Sequence, residues 1–316
     1  MKRIISIIGI AILGITLIIS CARKPEEVRI GYIRHVANLP FFVAIENGYF
    51  KQEGLEIKPI ECGLKELLDA LITDKVDVIP PMTFPQLLSI EVESPGLIKI
   101  FMIGGEKEGE DINSGILIRK GDPIKSIEDL KGKTMGVTSP TSALNLEMTL
   151  SAVGLKSEKD YNVLTISQNV ATTSLASRKI NALWLTEPEL TIAMAKADAQ
   201  LLIGNPRSKY ILNPYVAGAG AVKAEYLKKH DKRMKKIMQA FDKAIDFIRT
   251  NPVESKKMLT KYTSLTPDLA EKVGVYFYVK STEPIDMENL KKSIELLYAY
   301  KIIKKPVNIA SMLITY

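Results

Sequence analysis

Apolar and polar positions alternate along this chain in two rhythms. Short runs of period two, or unbroken β-branched and aliphatic runs, predict strands at 28–33, 55–60, 76–80, 97–103, 115–119, 133–138, 162–167, 181–186, 200–203 and 215–222. Between them, apolar residues spaced three and four apart predict helices at 40–47 and 142–153, closed by Gly48 and Gly154, and at 64–73, 85–92, 171–178 and 188–197. This alternation predicts an α/β fold. After Val222 the rhythm changes, and 223–300 reads almost wholly helical, with Ile237, Phe241, Ile245 and Ile248 forming one stripe. A β/α region followed by a helical tail suits a chain that leaves one domain, builds a second and returns. The stretches 71–81 and 175–188 also echo each other: helix end, basic turn, strand, then a proline-containing segment.

Composition adds an address. Met1-Lys2-Arg3 is followed by an apolar or small run from Ile4 to Ile19, then Ser20-Cys21, the pattern of a secretory signal. The cysteine after a small residue resembles a bacterial lipobox, with residues 1–20 as leader, Cys21 lipidated and 21–27 as linker. The run falls short of the roughly 20 apolar residues of a membrane span. Ala22 is not an aspartate, so nothing points to inner-membrane retention. Losing Lys2 and Arg3 takes the formal charge from +7 to +5, and the excess concentrates in Lys223 to Lys236. That run reads as the solvated face of a helix, or as contact with anionic headgroups beside the anchor. It lacks the interleaved aromatics of a nucleic-acid platform, and no nucleic acid is expected. With Cys21 lipidated, Cys62 has no partner and reads as a small core residue. No clustered His or Cys ligands occur, so no metal is expected. No GxxxxGK[ST] run occurs either, and no nucleotide or other cofactor is expected.

Candidate chemistry gathers where strands give way to helices. The stretch Gly31 to Phe42 breaks a strand with Arg34, His35 and Asn38 before Pro40 opens a helix. His35 is one of two histidines and has no nearby motif partner, which weakens a catalytic or metal role. In open α/β sheets ligands lie beyond the carboxyl ends of strands. Helices starting there offer unpaired N–H groups and a positive dipole end to an anion. Ser139, Thr141 and Ser142 form such a start with added hydroxyls, a candidate oxyanion cradle. Met82 and Thr83 precede a second one, at Pro85. Asn169 precedes a third, and Trp184 with Glu187 ends the strand before Pro188. Glu187 would accept from an amine or heterocyclic N–H, or simply complement a helix dipole.

Three segments together resemble a known family: "PFFVAIENGYFKQEGLEIK" (40–58), "SIEDLKGKTMGVTSPTSALN" (126–145) and "KINALWLTEPE" (179–189). They are similar to the periplasmic substrate-binding lipoproteins of ATP-driven (ABC) importers, in the branch serving nitrate, sulfonates, taurine and thiamine-pyrimidine precursors. The resemblance covers about 28–300. It implies a type II binding-protein fold: two α/β lobes, each a mixed sheet flanked by helices, joined by two crossing strands. Lobe one would comprise 28–113 and 216–316, lobe two 114–215, with Gly104-Gly105 and Gly218–Gly220 at the crossings. It makes the 34–40 loop a lip of the cleft, with His35, Asn38 and Leu39 as candidate contacts. It implies a monomer outside the cytoplasm that captures a small polar or anionic molecule, closes on it, and delivers it to a membrane permease and its ATPase. The cysteine and histidine cluster of the pyrimidine-synthesising relatives is absent, which counts against catalysis by their route.

Two other classes compete with transport. One is an enzyme on the same fold, of the menaquinone or thiamine-pyrimidine type, against which the exported terminus and the lack of a GxSxG elbow speak. The other is an extracellular sensor domain working through a second protein.

Overall fold

The computed structural model describes residues 26–315. The expected leader, the lipidation site Cys21 and most of the linker lie outside them. Among the described residues, eleven strands form two mixed sheets. They are β1 (Glu26–Tyr32), β2 (Leu55–Glu61), β3 (Val78–Thr83), β4 (Ile98–Glu106), β5 (Ser114–Arg119), β6 (Thr134–Val137), β7 (Asn162–Thr165), β8 (Ala182–Thr186), β9 (Ala199–Gly204), β10 (Tyr215–Lys223) and β11 (Phe277–Val279). One sheet runs β2-β1-β3-β10-β4-β11 and the other β7-β6-β8-β5-β9.

The first five strands of the larger sheet repeat the smaller sheet position for position. In each, one strand, β1 or β6, lies between two parallel neighbours, and the strand that directly follows a crossing, β10 or β5, comes next and runs antiparallel. The sequence echo has a physical basis here. Asp74 and Arg178 both adopt positive φ, of 59° and 63°, at the turn before the strand. Three residues later Asp77 accepts from the Arg29 N–H and donates its own N–H to the Arg29 carbonyl. Asn181 exchanges the same pair of bonds with Thr134. One turn design thus sets the strand register in both lobes.

β4 and β10 carry the chain between lobes and pair along most of their length, with two register shifts. Gly105 lies here because the backbones come too close for a side chain: a Cβ would fall 2.0 Å from the Tyr215 carbonyl oxygen. Lobe one buries two apolar clusters, one on each face of its sheet. Phe41, Phe42, Phe50, Phe101 and Phe241 join the long helix Asp231–Thr250 on one side. Leu67, Leu87, Ile100 and Leu297 fill the other. Lobe two is built likewise around Trp184 and Leu146 on one face and Leu175 and Leu183 on the other.

The tail is less helical than its pattern predicts. Helices span Asp231–Thr250, Pro252–Tyr262 and Met287–Ala299, but 271–286 forms a loop around β11. Its Val-Tyr-Phe-Tyr-Val run is β-branched and aromatic, bounded by Gly274 and Pro284, and it pairs with β4 at the sheet edge. That loop brings Tyr276 to the cleft.

Candidate functional site

Strands β1, β3 and β10 of lobe one and the helix starts of lobe two face each other across a cavity of about 210 Å³. Its walls come from both lobes and from the crossing. Lobe two supplies the start of helix Pro140–Ser151, where Ser139 caps the helix: its hydroxyl accepts from the Ser142 N–H at 3.1 Å. Thr141 and Ser142 complete that rim, and Thr83, Met82 and Gln86 face it from lobe one. Proline at the first helical position leaves no N–H wasted there.

Arg207 is the charged group of the cavity and is almost wholly buried. Asn205 and Pro206 start its short helix and aim the guanidinium back at the end of β4. There Nε donates to Glu106 at 2.7 Å and Nη2 lies 2.5 Å from the same carboxylate. Glu106 also accepts from the Ser208 N–H at 3.3 Å and from the Ser114 hydroxyl. Burial alone would lower the Arg207 pKa, but the Glu106 charge overrides it and holds the guanidinium well above its ordinary value. Arg207 lies 5.1 Å over the Tyr215 ring. The Tyr215 hydroxyl donates to Asn145 Oδ1 at 3.0 Å, and burial pushes that phenol up to about 12. Tyr276 closes the wall, its phenol also raised by burial.

His35 reaches the same cavity. Its Nδ1 accepts from the Ala37 N–H at 3.1 Å, so the other ring nitrogen carries the proton. The Glu187 main chain lies close by and slightly favours the protonated ring. Burial and the nearby Arg207 charge lower the imidazole pKa to about 4, which keeps it neutral at pH 7.

The structure therefore brings His35, Met82, Thr83, Ser139, Thr141 and Ser142 together and leaves five other candidates elsewhere. Asn38 is fully buried; its carboxamide accepts from the Ile33 N–H at 2.9 Å and donates to the Pro81 carbonyl at 2.8 Å, which pins the loop to β3. Leu39 sits in the lobe-one core. Trp184 is fully buried in lobe two, its indole N–H without a partner among the described residues. Asn169 is exposed and accepts from Ser167. Glu187 lies behind the wall: its carboxylate accepts from the Thr191 N–H and hydroxyl and, across the lobes, from the Gly274 N–H at 3.3 Å. Burial raises it to about 7, against the pull of the Thr191 and Gly274 bonds. Arg207, Tyr215, Asn145 and Tyr276 escape sequence reasoning. Arg207 follows a helix-start signal in Asn205-Pro206 that resembles any other, and Tyr276 is hidden by the helical reading of the tail.

Chemically, the cavity offers hydroxyl, amide, phenol and guanidinium groups from both lobes. They can hold a small molecule by several hydrogen bonds, with the Arg207 charge largely balanced by Glu106.

Comparison with known proteins fits this geometry. The 4-amino-5-hydroxymethyl-2-methylpyrimidine phosphate synthase THI11 of Saccharomyces cerevisiae is 24% identical over 242 residues, covering 73% of this chain and 68% of the yeast protein. A putative thiamine biosynthesis protein of Haemophilus influenzae is 23% identical over 299 residues, 90% of each chain. The solved periplasmic aliphatic sulphonate binding protein SsuA from Escherichia coli superposes with a TM-score of 0.76 at 17% identity, covering 92% of each chain, and shares the two-lobed fold. A family model described as NMT1/THI5 like matches residues 36–255. With well over half its length matched, this chain belongs to the NMT1/THI5-like family.

Proposed function

We propose that this chain is the solute-binding component of an ABC importer, acting outside the cytoplasm and tethered through Cys21. It captures a small polar or anionic organic molecule between its lobes and delivers it to a permease with its ATPase. The observation that carries this reading is a cavity at the lobe junction whose polar walls come from both lobes. A molecule bonded to Ser139 and Arg207 on one side and Thr83 and His35 on the other binds the closed form better than the open one. Differential affinity of that kind is what shifts a two-state equilibrium. The sulfonate-binding neighbour and the thiamine-pyrimidine relatives suggest the ligand classes: a sulfonate, a nitrate-like anion, or a pyrimidine-type heterocycle.

The relatives named as synthases favour a second reading, an enzyme on the same fold. Calorimetric titration with aliphatic sulfonates, nitrate and aminopyrimidines, followed by mass analysis of the recovered ligand, separates the two. Saturable binding with the ligand recovered intact supports transport. Conversion of a bound compound overturns it.

A further inference from the structure

The basic run of 223–236, which the cleft does not use, folds at one end of lobe one. Strands β1 and β3 run up to the cleft, where His35 and Thr83 line it, so the start of β1 lies at the far end of the lobe. Glu26 pairs there with Leu55, and a Cβ on the neighbouring Gly54 would lie 3.8 Å from Lys236 Nζ. The chain therefore enters the fold beside the first turns of helix Asp231–Thr250. Glu26 follows Cys21 by only five residues, which span at most about 17 Å. A lipid on Cys21 would hold this end of the lobe close to the headgroups.

The charges at this end are unevenly spent. Lys223 pairs with Asp74 at 2.7 Å, Lys229 with Glu225 at 2.6 Å and Lys235 with Asp231 at 3.4 Å. Glu53 is held by Lys243 at 2.6 Å. Lys228, Lys232 and Lys236 are exposed and have no ion pair among the described residues. Spacing of four puts Lys232 and Lys236 on one face of the helix, opposite the buried Met234, Ile237 and Phe241. The exposed acids Glu27 and Glu56 alternate to the other side of the sheet from Val28 and Leu55, which share a core with those three residues. Unspent cations beside a point of attachment draw a protein onto an anionic surface. At low salt each lysine within reach contributes about fivefold to partitioning.

We propose that this lysine face is a docking surface for a membrane rich in anionic phospholipid headgroups, seating lobe one beside its tether with the cleft turned to solvent. The seating rests on the tethered reading given above; the affinity of the face for anionic lipid does not. Three lysines give a contact weak enough to break, so a seated protein is still released to meet a permease. Ligand binding in the cleft, at the other end of the lobe, is untouched.

Every described strand and core cluster lies within 26–315, so residues 22–316, without leader or lipid, test the face alone. Co-sedimentation is measured with vesicles of phosphatidylglycerol and phosphatidylcholine, and with vesicles of phosphatidylcholine only, at low and high salt. The expected result is partitioning onto the anionic vesicles at least about tenfold above the neutral ones, lost at high salt. Lys228→Glu, Lys232→Glu and Lys236→Glu together should weaken it about a hundredfold. Lys125→Glu, Lys159→Glu and Lys179→Glu together change the net charge equally, on exposed lysines of lobe two, and should leave it within a factor of a few. No preference for anionic vesicles, or equal losses from the two triples, would overturn the proposal. So would sedimentation without vesicles that the first triple abolishes, which would put a second copy of the chain on this face. If the first triple melts early, Lys232→Gln with Lys236→Gln decides in its place: a loss of about twentyfold supports the proposal and an unchanged affinity overturns it. Neither triple touches the cleft, so the transport reading stands or falls on its own titration.

Discussion

At the residue scale, the cleft depends on a buried ion pair that no motif announces. Glu106 is fully buried and gathers donors from Arg207, Ser208 and Ser114. Glu106→Gln leaves the Arg207 charge without its counterpart, and breaking such a pair costs about 3–5 kcal/mol. Glu106→Gln combined with Arg207→Met should recover much of that loss, since the pair then leaves together. Urea unfolding of the two variants checks the order. Asn38 provides the complementary test. Asn38→Ala strands the Ile33 N–H and the Pro81 carbonyl, each costing about 1–3 kcal/mol. It should lower the urea midpoint while leaving cleft affinity within a factor of a few. A selective loss of affinity at unchanged stability would restore Asn38 as a ligand contact.

Two groups at the lobe junction titrate with opposite signs. Glu187, raised from 4.5 to about 7 chiefly by burial, holds its proton more tightly folded than unfolded. Its contribution is therefore full below about pH 4.5 and is lost as pH rises through 7, by up to about 3 kcal/mol. His35, lowered from 6.5 to about 4, binds its proton more tightly when unfolded, so its contribution is lost as pH falls from 6.5 toward 4. Melting curves from pH 4 to 8 should show Glu187→Gln flattening the neutral limb and His35→Gln flattening the acid limb. Identical profiles for wild type and both variants would refute these assignments.

At the scale of elements, Glu187 is a latch between lobes. Its carboxylate accepts from the Gly274 N–H on lobe one. Gly274 can approach only because it lacks a side chain: a Cβ would fall 1.8 Å from the Ile112 carbonyl oxygen. Gly274→Ala should part this seam, costing about 1–3 kcal/mol in Tm-derived stability and weakening ligand binding through the displaced Tyr276. An alanine variant with wild-type stability and affinity would show that the seam does not matter.

The strands and the longer helices before residue 223 were legible because their burial is written locally: half-buried elements alternate, and β3, β5 and β10, buried along nearly their whole length, read as apolar or small-residue runs. The 139–142 helix start was legible for the same reason: a serine cap and a proline are local signals. Asn38 and Leu39 misled because a polar break beside a proline reads alike whether the side chain ties a loop to β3 or faces a ligand. Arg207 and Tyr276 could not be read, since their roles exist only once the crossing brings β4, β11 and helix Pro206–Tyr210 together.

At the scale of the whole molecule, the account rests on two lobes of one design meeting over a polar cavity, with closure driven by what lies between them. The most direct measurement is calorimetric titration of the wild-type protein and a Thr141→Trp variant against sulfonates, nitrate and aminopyrimidines, paired with small-angle scattering. Thr141 is exposed on the cavity rim, so the indole should fill the cleft without disturbing either core. The account predicts saturable one-to-one binding of a compound that compacts the wild-type protein, and loss of both heat and compaction in the filled variant. Binding that survives the tryptophan, or that leaves the scattering profile unchanged, would contradict it.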